Sequence, residues 1–249
     1  MTQPNRAAIA ALSALLALAQ VGCQSRSAIP PGAAGVRIHV LAEPKAGAKA
    51  RSAAPIPVYD TPAPAKPAGD FERVDYAHLR DIVVWVEPTA PSAATVPADA
   101  SLTIDFDPAK PPASDTISAA ASVGQRLAFH NTSRRPQSLY SVSDGNDFDL
   151  PPILPGGVAE YVVRAPGRIE VLSESTKQPV AQVYAAPTRW AARTSAGSDV
   201  TFNDLPPGPC RIVSWHPRLP GSETPIELPA GQVKSVTIKV GVNSLPKVP

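Results

Sequence analysis

Thirty-one prolines are spread through a chain of 249 residues, and that one feature rules out most helical architectures. Proline lacks the amide donor that a helix interior needs, and in sheets it is confined to edges, strand starts and bulges. Short strands joined by Pro-rich turns meet that limit. The 43% hydrophobic fraction is that of an ordinary globular protein, so the prolines do not signal wholesale disorder. The length accommodates one large β domain or two small ones, each able to bury a core. A formal net charge of +2 with scattered basic residues lacks the concentrated field that nucleic acid attracts.

Alternating and continuous apolar runs mark the strands. Val36–Val40 alternates, and Asp81–Val86 is nearly continuous. Further signals come at Ser101–Phe106, Thr116–Ser122, Arg126–His130, Ser138–Val142, Ala159–Val163, Arg168–Leu172 and Val180–Ala185. They continue at Asp199–Phe202, Cys210–Trp215, Thr224–Leu228 and Val233–Val240. Gly, Pro, Asn or Asp bounds each one, as turns require. No amphipathic helix follows the first 23 residues. The spacing predicts an all-β chain of one or two sandwiches. Residues 43–70, low in complexity and rich in Ala, Pro and Lys, read as a long loop or stiff linker.

The N-terminus reads as an export signal. Arg6 precedes Ala7–Ala19, an uncharged run of 13 residues, too short for a membrane span and right for a signal h-region. Two cuts are open. Ala17-Leu18-Ala19 offers small residues to an ordinary signal peptidase. Gln20-Val-Gly-Cys23 is similar to a lipobox, which would acylate Cys23 and make residues 24–34 a tether. Gln20 departs from the Leu that pattern prefers. With Cys23 lipidated, Cys210, the only other cysteine, has no disulfide partner in the chain. The expected location is the cell envelope, periplasm or outer membrane, or the exterior.

Two blocks carry a family resemblance. The first runs through Gly124, Phe129-His-Asn131, Gln137-Ser-Leu-Tyr-Ser-Val-Ser143, Asp147-Phe-Asp-Leu150, Pro155-Gly-Gly157 and Gly167-Arg-Ile-Glu-Val-Leu172. It resembles the plastocyanin-like (cupredoxin) domains of bacterial envelope proteins. The second holds Phe202-Asn-Asp-Leu-Pro-Pro-Gly208, Cys210-Arg-Ile-Val-Ser-Trp-His216 and Leu228-Pro-Ala-Gly231. It resembles the carboxypeptidase-regulatory-like (transthyretin-like) module. Together they cover about residues 101–240. The resemblance implies a cupredoxin-like sandwich at residues 101–187 combined with a transthyretin-like or Ig-like sandwich. Residues 35–100 and 188–249 would supply the second sandwich, with Val36–Val40 and Asp81–Val86 pairing with the C-terminal strands.

The resemblance also implies where copper ligands would fall. A type-1 site takes two imidazoles, a thiolate and a weak axial thioether. The upstream His position is Gln137, the Cys position is at or near Ser173, and the downstream His is at or near Thr176. The only methionine is Met1. No metal or cofactor is therefore expected.

The other candidates have structural readings. His130 reads as a strand-end surface histidine and His216 as a turn cap, while His39 and His78 are isolated and lack zinc-ligand spacing. Cys210 alternates with Ile212 and reads as a core thiol. Asp144-Gly-Asn-Asp147 superficially resembles a calcium loop but also suits a hairpin turn, and Arg134-Arg135 reads as solvated surface. Trp85, Tyr140, Tyr161, Tyr184, Trp190 and Trp215 are assigned to core packing, with Trp190 placed to pin the two units together. Hydrolase and phosphate-loop signatures are absent. The expectation is a non-enzymatic scaffold or binding protein, its partners the membrane through a lipid anchor and an envelope protein or glycan. A metal or redox role, and a carbohydrate- or peptide-binding role, are the alternatives.

Overall fold

The run Ile82-Val-Val-Trp-Val86 is apolar on both sides of the strand, and a strand so composed must be covered on both faces. The computed structural model shows how. It describes residues 29–43, 75–90, 97, 100–113 and 116–241. The export signal, Cys23, the first five residues of the tether (24–28) and nearly all of the 43–70 segment lie outside the described residues.

Fifteen strands and one short 3-10 turn (Tyr76–His78) make up the described structure. The strands are β1 (Ala34–Ala42), β2 (Ile82–Pro88), β3 (Ser101–Phe106), β4 (Ala119–Ser122) and β5 (Arg126–Asn131). Next come β6 (Leu139–Ser143), β7 (Asn146–Asp149), β8 (Val158–Val162), β9 (Gly167–Ser173) and β10 (Pro179–Ala186). The series closes with β11 (Ala191–Thr194), β12 (Asp199–Leu205), β13 (Gly208–His216), β14 (Leu219–Leu228) and β15 (Val233–Val240). The all-β reading is correct for the described residues.

The chain's two ends build one sandwich. Its sheets are β12-β1-β15 and β11-β2-β13-β14. In β1 the alternation is strict: Ala34, Val36, Ile38 and Val40 have no exposed surface, and Arg37 and His39 face away from the core. The strand lies antiparallel to β12 and parallel to β15. Facing it across the core are Ile82, Val84 and Val86 of β2, Cys210 and Ile212 of β13, and Trp190.

The second sandwich lies, in sequence, between β2 and β11. Its sheets are β4-β10-β9-β6-β7 and β3-β5-β8, and its core includes Phe129, Leu127, Leu139, Ile169, Val171, Val183 and Tyr161.

The outward faces of β2 and β13 meet β4 and β10. Val83, Trp85 and Val213 pack there with Ala120, Tyr184, Ala186 and Trp215. The Tyr184 ring stacks on Trp215 at 4.2 Å between centroids and stands 5.5 Å from Trp85. Burial of β2 on both faces accounts for its continuous apolar run. The junction aromatics are therefore Trp85, Tyr184 and Trp215. Trp190, expected at that joint, is instead part of the first core, its indole N–H donated to Asp204 at 2.8 Å. It lies between β10 and β11 in sequence but turns inward, because the β2–β11 pairing directs it under the sheet.

Asp81, just before β2, is one of two non-glycine residues with positive φ among those described, at 63°. Aspartate tolerates this left-handed region better than most residues, still at a cost of about 1 kcal/mol. Its carboxylate is held by Arg193, whose Nε donates to Oδ1 at 2.7 Å.

Candidate functional site

Gln137 and Ser173 lie far apart in sequence and adjacent in the fold. Gln137 precedes β6 and is fixed by a two-way backbone bridge to Ile153. Ser173 ends β9, where it stands opposite Leu139 of β6. The chain then turns tightly, with the Lys177 N–H donated to the Ser173 carbonyl at 2.8 Å. That turn carries Ser175 back over Gln137. Gln137 Oε1 accepts from Ser173 Oγ at 3.2 Å and from Ser175 Oγ at 2.7 Å, and the two hydroxyl oxygens are 2.9 Å apart. Gln137 and Ser173 are both buried.

Each hydroxyl carries one proton, so two protons serve three close contacts. The cluster is neutral and satisfies its own acceptors, as buried polar groups must. Thr176, the position expected beside Gln137, is exposed, and its Oγ1 accepts from the Gln178 N–H at 3.4 Å. Ser175, one residue before it, is the hydroxyl that reaches Gln137. An amide and two hydroxyls supply no imidazole, no thiolate and no soft donor, and so do not fit a type-1 copper ion.

Asn131 anchors the loop beside this cluster. Buried completely, its side-chain amide donates to the Arg135 and Ile153 carbonyls at 2.9 and 2.8 Å, and its oxygen accepts from the Ser133 N–H. The Asp144–Asp147 stretch is the β6–β7 hairpin. Its Asn146 points inward, donating to the Ala165 carbonyl at 2.9 Å and accepting from Tyr161 Oη at 3.2 Å and from the Arg164 N–H at 3.0 Å. That side chain is committed to protein partners.

Three histidines each meet an aspartate through Nδ1: His39 with Asp199 at 2.7 Å, His78 with Asp75 at 2.9 Å and His130 with Asp105 at 2.8 Å. His130 lies in β5 and reaches across to β3. The His78 bond holds the Asp75 carboxyl below the usual carboxylate range. His216 is buried, and its Nδ1 accepts from the Arg218 N–H at 3.1 Å, capping the turn after β13. Among the described residues no three His, Cys, Asp or Glu side chains group as metal ligands. Cys210 is buried, and burial pushes its thiol up to about 11, far from a nucleophile's range.

Trp85, Trp190 and Tyr161 are buried, and Tyr140, Tyr184 and Trp215 are half-buried. The large exposed apolar residues are aliphatic, Val142 and Leu154 foremost. Lys177 Nζ stands 5.5 Å from the Tyr140 ring centroid, and the Tyr184 and Trp215 rings stack on each other.

The described chain is an all-β protein of two packed sandwiches, one of which holds a neutral amide–hydroxyl cluster with Gln137 and Ser173 buried and Ser175 exposed. No protein-family model matches it, and no curated protein matches it. Among solved structures, a novel purple cupredoxin from Nitrosopumilus maritimus is similar at 17% identity, covering 35% of this chain and 100% of its own, with a TM-score of 0.28. A reduced amicyanin mutant is similar at 13% identity, covering 41% of this chain and 98% of its own, with a TM-score of 0.30. These are likenesses of part of the chain.

Proposed function

We propose that this chain is a non-enzymatic scaffold or binding protein of the cell envelope, tethered through a lipid on Cys23. In this reading the inserted sandwich is cupredoxin-like with its copper ligands replaced, and the flanking sandwich is transthyretin-like. The observation that carries it is the Gln137–Ser173–Ser175 cluster. Two of its members are the positions that the sequence resemblance assigns to copper ligands, and they bond one another in a form that asks for no ion. A neutral, satisfied cluster serves packing, since an isolated buried donor or acceptor would cost free energy.

The test is copper titration of the protein purified after expression of the complete sequence, followed by metal analysis and visible spectroscopy. The expected result is no retained equivalent and no visible charge-transfer band. One tightly held equivalent with such a band would overturn the reading in favour of a redox role. Mass spectrometry of the mature N-terminus tests the anchor: diacylated Cys23 supports it, and a free N-terminus at Gln20 refutes it.

A further inference from the structure

Where the two sandwiches meet, their edges leave a cleft of about 480 Å³ lined by Arg80, Leu102, Ser118, Ala120, Arg193 and Ser195. That volume lies within the range of small-ligand sites. Its walls come from both units. Arg80 precedes β2, Arg193 lies on β11 and Ser195 follows it, while Leu102 belongs to β3 and Ala120 to β4, which Ser118 immediately precedes. A cleft at such a seam is a common place for a ligand.

The two arginines differ in kind. Arg193 is fixed: its Nε donates to Asp81 Oδ1 at 2.7 Å, its Nη2 is 2.6 Å from the same oxygen, and its Nη1 donates to the Ser118 carbonyl at 3.3 Å. A guanidinium has five N–H donors, so one remains on each Nη. Arg80 is exposed and makes no ion pair with another described residue. Asp81 balances Arg193, so among the described residues of the cleft one net positive charge remains, on Arg80. The hydroxyls of Ser118 and Ser195 add neutral donors, and Leu102 with Ala120 adds an apolar wall. A smaller hollow of about 250 Å³ shares Arg80 and adds Asp75, His78, His216 and Arg218. Its His78 is already bound to Asp75.

We propose that this inter-sandwich cleft binds a small organic monoanion, a carboxylate with a short apolar body, recognised by the charge of Arg80 and oriented by the fixed fork of Arg193. A monoanion matches one uncompensated positive charge, whereas a phosphate dianion would leave a negative charge unbalanced. The planar guanidinium fork suits carboxylate geometry. The apolar wall distinguishes a carboxylate bearing a short chain from acetate. This site is separate from the Gln137 cluster, so the copper result leaves it standing or failing on its own.

The experiment is an amide NMR titration of the full chain with sodium hexanoate, and in parallel with acetate and inorganic phosphate. Expected are saturable shifts at Ser118, Ala120 and Ser195, tighter for hexanoate than for either other probe. Arg80→Ala weakens hexanoate about tenfold, as loss of a charge-assisted contact should, with an unchanged melting temperature. Arg80→Lys, which keeps the charge, loses less. Absence of saturable shifts with hexanoate overturns the proposal, as do shifts that persist unchanged in Arg80→Ala or phosphate binding tighter than hexanoate.

Discussion

Replacing Tyr184 by alanine removes the ring that holds the two sandwiches together. The ring stacks on Trp215 at 4.2 Å and tilts against Trp85 at 5.5 Å. Aromatic pairs contribute about 0.5–1.5 kcal/mol each beyond area burial, so two pairs represent about 1–3 kcal/mol. Truncating a fully buried large aromatic to alanine costs about 3–5 kcal/mol in all. Tyr184 is half-buried, which brings the expected loss to about 2–4 kcal/mol. At about 2–4 °C per kcal/mol for a chain of this size, the melting temperature falls by about 4–16 °C. The Tyr184→Phe variant keeps both ring pairs and loses under about 1 kcal/mol. Urea unfolding followed by tryptophan fluorescence and by far-UV dichroism reads both the loss and its character. Two of the three tryptophans flank Tyr184, so fluorescence reports the junction directly. The intact protein should unfold with the two signals coincident, and the alanine variant with junction fluorescence changing first. A loss below about 0.5 kcal/mol, in the range of neutral surface substitutions, would refute the idea that this stack couples the sandwiches.

Gly145 turns the β6–β7 hairpin at φ 68°, and a Cβ there would stand 2.6 Å from the Ala165 Cβ. Gly145→Ala is therefore expected to cost about 2–4 kcal/mol, combining left-handed strain with overpacking. Gly156→Ala, at φ 72° with nothing within 4 Å, should cost only about 1–2 kcal/mol; equal losses in urea unfolding would contradict the steric account. Gln137→Leu removes the shared acceptor, leaving Ser173 bonded to Ser175 and the exposed Ser175 to water, a loss of about 0.5–1.5 kcal/mol by the same assay. The Cys210 thiol is raised from 9.0 to about 11 in the fold. Below pH 9 it is protonated folded and unfolded; from about 9 to 11 only the unfolded thiol ionises, so stability falls as pH rises, by about 2–3 kcal/mol. The difference in pH slope between the native protein and Cys210→Ala measures that share, and equal slopes would show that the thiol is not buried as described.

The strands legible in the sequence are those whose side chains reveal their surroundings. β1 alternates because one face meets a core, and β2 is apolar throughout because both faces are covered. Two strands gave no such signal. β7 reads Asn-Asp-Phe-Asp and sits at a sheet edge, with only Asn146 buried. β11 reads Ala-Ala-Arg-Thr, with no bulky β-former, and is held by pairing with β2 rather than by propensity. Such tertiary override of local preference is invisible along the chain. β14 was legible only from Thr224, since Pro220 and Gly221 look like a turn, yet the strand begins at Leu219 as an edge where proline is tolerated. In the cluster, Gln137 and Ser173 are legible from the family resemblance, whereas Ser175 depends on where the turn after β9 closes. Only the Ser-x-Ser spacing hinted at it. The Asp81–Arg193 pair spans 112 positions in sequence, and nothing local in either residue names the other.

The insertion has a geometric reason to be tolerated. β2 leaves the flanking sandwich and β11 re-enters it as adjacent antiparallel neighbours, Trp85 opposite Ala191 and Ile82 opposite Thr194. The departing and returning ends therefore lie side by side, which is the condition under which a domain can be inserted without breaking its host. The Thr188 hydroxyl donates to the Val86 carbonyl at 2.8 Å and the Val86 N–H to the Trp190 carbonyl at 3.0 Å, closing that neck. The same closure brings β4 beside β11 and so forms the arginine-lined cleft from two units at once. A ligand there contacts both sandwiches and is bound only while they are docked. By mass action it stabilises the docked state over any state in which they separate. Weakening the junction through Tyr184 should therefore weaken hexanoate as well, although Tyr184 does not line the cleft. That coupling would separate a site built by the junction from a surface arginine that binds anions by itself.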